Sequence, residues 1–327
     1  IPLWSDNIRL YSDYVFLKIP SFNCKFTIFA PMKIKTKEIS HSLLKEKEIE
    51  LFVKRIDLVS PFVSGNKYYK LKYNLLEAKK QNTDTILTFG GAYSNHIAAT
   101  AFAANKKGFK SIGIIRGEET LPLNDTLSFA KENSMEFHYV SREEYRQKHT
   151  EGFINKLKDR FTDFYLIPEG GTNNLSIKGT QEILDVNDTQ HFICTAIGTG
   201  GTISGIINSS SDNQKVLGFP AIKGSEDLEK DIRSWTNKQN CKLITDYHFG
   251  GYAKISEMLI QFILDFYDKN NIPLDAIYTG KMMFGIFDLI KKNYFPKGSS
   301  ILAILTGGLQ GNKGMNDRFG LNLPHNF

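Results

Sequence analysis

The chain is poor in cysteine: among 327 residues only Cys24, Cys194 and Cys241 occur, with no C-x-x-C spacing and no adjacent histidine pair. That excludes a disulfide framework and a cysteine–histidine zinc site, so no metal is expected and a reducing, cytoplasmic setting is. No apolar run exceeds strand length, so no membrane span is predicted. No block of Lys or Arg stands out either. The 41 basic residues are interspersed with 35 acidic ones, for a formal net charge of +6. Such a distribution gives no nucleic-acid footprint, while its mild positive balance suits small anionic ligands. Internal repeats and low-complexity tracts are also lacking.

What is present is an ordinary globular composition, 41% apolar and 23% charged. The length exceeds one usual compact core, so two domains sharing a cleft are expected. Residues 1–31 read differently: they are aromatic-rich and aperiodic, interrupted by Lys18 and Lys25, and have no small-residue cleavage site. Met32 then opens Met-Lys-Ile-Lys-Thr-Lys. Residues 1–31 are therefore expected to be an extension outside the core fold.

From Ile49 onward short apolar runs alternate with longer amphipathic stretches. The runs Ile86–Phe89, Ser111–Ile115, Phe137–Val140, Phe164–Ile167, Phe192–Ile197, Val216–Phe219 and Ile301–Leu305 predict strands buried on both faces. Between them His96–Lys107, Leu123–Asn133, Ile203–Ser209, Ile255–Lys269 and Met282–Lys292 read as helices. This is the pattern of βαβ units, hence an α/β fold with open, mostly parallel sheets flanked by helices.

The loops between are rich in glycine and small polar residues: Gly90–His96, Glu169–Asn173, Gly198–Thr202 and Thr306–Gly308. Ligands of parallel sheets bind beyond the carboxyl ends of the strands, and four such loops suggest one shared site. Gly198-Thr199-Gly200-Gly201-Thr202 has the form of a phosphate cup opening a helix, where glycines admit close backbone approach and the helix end adds positive potential. It is neither a P-loop nor a G-x-G-x-x-G fingerprint, and it also fits a plain βα turn. Lys67 and Lys70 lie three apart at the start of a helical pattern through Leu71, Leu75 and Leu76, sharing one face. From this segment alone they read first as solvated lysines on an exposed helix; the other reading is a Schiff-base lysine beside a phosphate ligand. Ser94 and Asn95 fit either an N-cap or a pair of polar groups aimed at a carboxylate and a cofactor oxygen. Tyr278-Thr279-Gly280-Lys281 and Thr306-Gly307-Gly308 are each expected to end a late strand.

Seven motifs in order carry a resemblance: Lys-Arg-x-Asp-Leu (54–58), Ser-Gly-Asn-Lys-x-x-Lys-Leu (64–71), Gly-Gly-Ala-x-Ser-Asn-His (90–96), Pro-Glu-Gly-Gly-Thr-Asn (168–173), Gly-Thr-Gly-Gly-Thr (198–202), Leu-Asp-x-x-Tyr-Thr-Gly-Lys (274–281) and Thr-Gly-Gly (306–308). From about residue 40 to the end the chain resembles the 1-aminocyclopropane-1-carboxylate deaminase/D-cysteine desulfhydrase family, pyridoxal phosphate enzymes of the two-domain tryptophan-synthase-β-like fold (fold type II). The resemblance implies a larger domain from 32–81 with 169–327, a smaller one from 82–168, and a homodimer. It implies that Lys67 holds pyridoxal phosphate as a Schiff base and takes the α-proton. Lys70 with Gly198, Thr199, Gly200, Gly201 and Thr202 would hold the phosphate, Asn95 the ring hydroxyl, and Thr306 would face the ring nitrogen. Ser94, Asn95, His96 and Thr279 would meet a small amino-acid substrate, and Ser94, Tyr278 and Tyr252 would be catalytic beside Lys67.

The cyclopropane deaminases of the family carry Glu and Leu where this chain has Thr279 and Thr306. These threonines resemble the D-cysteine branch, which splits D-cysteine to pyruvate, ammonia and sulfide. Cyclopropane deamination, another fold-type-II lyase activity and non-catalytic cofactor binding are the alternatives. Tyr93 and Leu309 depart from the family pattern and are expected near the substrate pocket.

Overall fold

All seven apolar runs become strands, and those at the centre of the sheets bury both faces. β3 (Thr85–Gly90), β7 (Phe192–Ile197) and β10 (Ser300–Ile304) have every residue buried. The computed structural model describes residues 29, 34–224 and 226–325; the expected extension at 1–31 lies, Phe29 apart, outside the described residues.

Two sheets result. The larger has the order β1-β2-β10-β7-β8-β9, with β1 (Thr36–Glu38), β2 (Glu50–Lys54), β8 (Lys215–Pro220) and β9 (Cys241–Leu243) joining β7 and β10. Only β1 runs antiparallel to its neighbour; Ile301 of β10 sits between Leu51 of β2 and Phe192 of β7. The smaller sheet is wholly parallel, β5-β4-β3-β6, from β4 (Lys110–Arg116), β5 (Met135–Val140) and β6 (Tyr165–Ile167) beside β3. Its strands all fall within 82–168, whereas the larger sheet draws on both chain ends. Both sheets belong to one compact unit from residue 31 to residue 327.

The core beneath the larger sheet is built from residues such as Leu51, Val53, Ile263, Met282 and Ile286. The smaller sheet is sandwiched between a cluster around Phe89, Ile114 and Tyr145 and another around Ile97, Leu127 and Met135. Parallel strands require helical crossovers on their faces, and this double burial is why the sequence shows continuous apolar runs rather than alternation.

One expected strand does not form. Tyr278 follows a turn rather than a strand and caps the helix Thr279–Lys291. The reason is Asp275, whose buried carboxylate accepts the amides of Ile277, Tyr278 and Thr279 at 3.0, 2.7 and 2.9 Å. Three amides taken by one side chain curl the backbone away from extended geometry. Among the described residues no helix is long and apolar enough to cross a membrane.

Candidate active site

The glycine-rich loops meet. β3, β6, β7 and β10 all deliver their carboxyl ends to one cavity of about 460 Å³. Gly65 has φ +62°, and a Cβ there would lie 1.9 Å from the Thr306 carbonyl oxygen. No other residue could bring the start of the Lys67 helix (Asn66–Lys80) this close to the loop after β10. The contact is closed by the Asn66 amide donating to that same carbonyl at 3.2 Å.

That helix begins without a side-chain cap and without an acidic residue in its first turn. It carries Lys67 and Lys70 instead. Lys70 is 2% exposed. Its ammonium donates to the Gly170 carbonyl at 3.0 Å and the Thr172 hydroxyl at 2.8 Å, and reaches Thr199 Oγ1 at 3.4 Å. Lys67 Nζ points to the same Gly170 carbonyl at 3.4 Å. Among the described residues neither lysine has a carboxylate within ion-pair distance. Burial lowers the Lys67 pKa to about 8, although some of its surface remains accessible through the cavity. Lys70 is held well below its ordinary value, first by burial and then by the charge of Lys67. The solvated-lysine reading therefore fails: a half-buried and a fully buried cation converge on neutral oxygens, a site short of one anion.

The glycine loop after β7 lies beside them. Gly198, Thr199, Gly200 and Thr202 line the cavity. Gly200 takes φ +83°, which launches the helix Gly201–Ser209 with its first amides free of side-chain caps. Thr202 Oγ1 accepts from Asn66 Nδ2 at 2.8 Å, tying the starts of two helices together. Gly201 does not line the cavity. It packs against Thr172, and its carbonyl takes the Thr180 hydroxyl at 3.0 Å.

From the smaller sheet come Ser94 and Asn95. Ser94 caps the helix Asn95–Lys107, accepting the Ile97 amide at 3.3 Å, and also lines the cavity. The N-cap and ligand readings thus coexist in one hydroxyl. Asn95 buries an Oδ1 that has no hydrogen-bond partner. Buried polar atoms are nearly always paired, so an orphan at a cavity wall is the mark of a ligand contact.

His96 borders the cavity, but its ring is committed elsewhere. Nε2 meets Thr88 Oγ1 at 2.8 Å, and that hydroxyl donates onward to the Ile167 carbonyl at 2.8 Å, so Nε2 carries the proton. Burial, then Lys67 and Lys70, hold its pKa well below the ordinary value. His96 thus borders the cavity with its Nε2 spent on Thr88 and its Nδ1 3.5 Å from Thr100 Oγ1. Thr279 is a correction. It is buried outside the cavity wall, its hydroxyl donating to Asp275 Oδ2 at 2.5 Å and accepting the Asp275 amide at 3.0 Å. Leu309 is likewise absent from the cavity wall, while Tyr93 lines it.

Tyr252 and Tyr278 face the cavity with ring centroids 6.1 Å apart, inclined at 65°. Burial raises both phenol pKa values, and the charges of Tyr252 and Asp275 push that of Tyr278 further up. Thr306 completes the wall and is 8% exposed.

Sequence reasoning missed three contributors. Arg116, the last residue of β4, reaches the cavity with its guanidinium 5.7 Å from the Tyr145 ring. Glu169 also lines the cavity, bonded by Tyr145 Oη at 2.8 Å and paired with Lys148 at 3.3 Å. Gly170 contributes its carbonyl, and only its place in the Glu169–Asn173 loop hinted at this.

These residues fit a phosphate-bearing aldehyde. The lysine pair with the Gly198–Thr202 loop offers cationic charge and free helix amides for a phosphate, and Lys67 offers a low-pKa amine. Asn95 offers an unspent polar atom.

Known proteins point the same way. The family described as "Pyridoxal-phosphate dependent enzyme" matches residues 34–307. A putative 1-aminocyclopropane-1-carboxylate deaminase of Pyrococcus abyssi is 31% identical over 82% of this chain and 87% of its own length. A mitochondrial bifunctional D-cysteine desulfhydrase/1-aminocyclopropane-1-carboxylate deaminase of Arabidopsis thaliana is 31% identical over 80% of this chain and 73% of its own. The solved structure of a 1-aminocyclopropane-1-carboxylate deaminase homologue superposes with a TM-score of 0.78 at 27% identity, covering 88% of this chain and 93% of that one. The chain belongs to the 1-aminocyclopropane-1-carboxylate deaminase/D-cysteine desulfhydrase family of pyridoxal-phosphate-dependent enzymes, with their fold type II architecture and pyridoxal phosphate as its cofactor.

Proposed function

We propose that the chain cleaves a small D-amino acid, D-cysteine foremost, with water to pyruvate, ammonia and sulfide. The observation that carries this reading is the Tyr252–Tyr278 pair, ring centroids 6.1 Å apart, on the same cavity as Lys67 and Ser94. Bound at Lys67, pyridoxal phosphate supplies an electron sink for the substrate α-carbon. Lys67 Nζ, with its pKa near 8, has a useful neutral fraction at physiological pH and takes the α-proton. Tyr278 keeps its proton, held well above the ordinary phenol range by burial and by Tyr252, and its Oη donates to the departing sulfur. Ser94 Oγ and the first amides of its helix bind the substrate carboxylate. Lys70 and the Gly198–Thr202 loop hold the phosphate, Asn95 the ring hydroxyl, and Thr306 the ring nitrogen. A cytoplasmic homodimer belongs to the same reading.

Of the two threonines that set this chain apart from cyclopropane deaminases, Thr279 lies outside the cavity wall, so the preference for D-cysteine rests on Thr306. A second reading, ring opening of 1-aminocyclopropane-1-carboxylate to 2-oxobutanoate and ammonia, is favoured by the names of the Pyrococcus relatives. The test is product analysis of the purified holoenzyme given D-cysteine, L-cysteine or the cyclopropane amino acid. Pyruvate and sulfide from D-cysteine are expected. 2-Oxobutanoate alone moves the assignment to the second reading, and no product from any of the three, with the cofactor's visible band present, sinks both.

A further inference from the structure

Lys281 lies in the first turn of the helix that Tyr278 caps, and it is 2% exposed. Its ammonium donates to the His248 carbonyl at 2.9 Å and the Gly251 carbonyl at 2.8 Å. Among the described residues no carboxylate pairs with it; the field of Asp275 only partly offsets the burial that brings its pKa to about 8. A cation here opposes the helix dipole as well as suffering desolvation. An apolar side chain would fill the same space without either penalty. Lys281 is therefore placed for what it holds.

What it holds is a strained backbone whose Phe249 and Ala253 side chains pack against the core but whose carbonyls at His248 and Gly251 it alone among the described side chains binds. Phe249, Gly250, Gly251 and Ala253 all have left-handed φ, at 54°, 93°, 120° and 54°. Two of the four are not glycine and are strained there. The loop's own hydrogen bonds are internal: Gly250 N to His248 Nδ1 at 2.8 Å, Gly251 N to the His248 carbonyl at 3.0 Å, and Lys254 N to the Gly251 carbonyl at 3.2 Å. The helix adds one ring contact, Phe249 against Phe284 with centroids 5.1 Å apart. Tyr252 follows directly and reaches Tyr278. One helix thus presents Tyr278 at its start and, a turn later, grips the loop that carries its partner.

We infer that Lys281 is a positioning residue that sets Tyr252 against Tyr278 by pinning the His248 and Gly251 carbonyls. The inference rests on the proposed function only where it gives Tyr252 work in the reaction; the clamp itself stands apart from it.

The test combines hydrogen exchange on the full-length holoenzyme with a double-mutant cycle. In Lys281→Met, the Gly251 and Lys254 amides should exchange about 10-fold faster or more, with the cofactor's visible band unchanged. kcat/KM should fall about 10- to 100-fold, yet Lys281→Met added to Tyr252→Phe should cost less than about threefold more, since both act through one phenol. Lys281→Gln keeps amide donors and should recover part of the loss, and it replaces the Met variant if that one fails to fold. Unchanged exchange in the loop overturns the clamp whatever the activity. Independent, multiplying losses overturn the route through Tyr252. If Tyr252→Phe is fully active while Lys281→Met loosens the loop, the clamp stands and the catalytic role of Tyr252 falls.

Discussion

Lys54 and Lys70 are both almost fully buried, at 1% and 2% exposed, and their surroundings could hardly differ more. Lys54, at the end of β2, is bonded by Asp185 at 2.8 Å and by Asp188, whose side chain is 5% exposed. Lys70, at the start of its helix, meets a carbonyl and two hydroxyls. The first cation is already neutralised within the fold. The second carries charge that the protein leaves unmatched, and it stands with Lys67 at the wall of the cavity where the glycine-rich loops meet. A buried lysine with carboxylates is part of the scaffold; a buried lysine with only neutral oxygens is half of an interaction whose other half arrives with a ligand.

The largest effect should come from the neighbour that would make the covalent link. Lys67→Ala should remove the visible band of the bound cofactor and lower turnover by about 10⁴-fold or more, since both the attachment point and the base are gone. A band that survives dialysis and is lost only on reduction with borohydride would move the attachment to another lysine. Next is the scaffold pair. Lys54→Met leaves the Asp188 carboxylate buried without its partner and should cost about 3–5 kcal/mol in denaturant unfolding, with activity per folded molecule unchanged. Lys70→Met should do the reverse. Cofactor affinity should fall about 10- to 100-fold, roughly 1.4–2.7 kcal/mol, while the apoprotein is no less stable than wild type because an uncompensated cation has been removed. The same substitution at two equally buried lysines should thus change apoprotein stability in different senses. Equal destabilisation of both variants breaks the comparison.

How much of this was legible depended on whether the signal lay in side chains or in backbone. β3, β7 and β10 were visible as apolar runs because both their faces are buried, and the loops after them were visible because close approach demands glycine, as Gly65 against Thr306 shows. Lys67 was ambiguous in isolation. Its helix start looks like any other, and the feature that matters, convergence on the Gly170 carbonyl, belongs to a residue a hundred positions away whose side chain is a hydrogen. Arg116 was hidden for a related reason: a single arginine ending a strand becomes informative only when β4 lies in register beside β3. The stretch before Tyr278 misled in the opposite direction. Ile277 and Tyr278 read as a strand end, but Asp275 gathers the amides of 277, 278 and 279, and Thr279, expected at the substrate, completes that cap. A short-range polar motif overrode a short apolar run, as local side-chain to backbone bonds do when no neighbouring strand competes.

The smallest effect sharpens the comparison through pH. Burial lowers the Lys67 pKa to about 8 from an ordinary 10.5. Between these values the unfolded chain binds more protons at this residue than the folded one, so its contribution to apoprotein stability rises with pH across that window. Below about 8 the ammonium is charged in both states and the burial penalty is felt in full; above about 10.5 it is neutral in both and the penalty is gone. Removing Lys67 also relieves the repulsion on Lys70, which acts in the same direction. Lys67→Met apoprotein should therefore be more stable than wild type at pH 7, by about 1–2 kcal/mol once partial solvent access is allowed for. That advantage should shrink as the pH is raised from about 8 towards 10.5. Cys194, Cys241 and the buried tyrosines titrate in the same range with the opposite sign, but they are common to both proteins and cancel in the difference. Urea melts of the two apoproteins at matched pH read it directly. An advantage that stays constant from pH 7 to 10 would mean that the Lys67 ammonium is solvated in the folded state, and the contrast between a finished ion pair at Lys54 and an unfinished one at Lys67 and Lys70 would then rest on Lys70 alone.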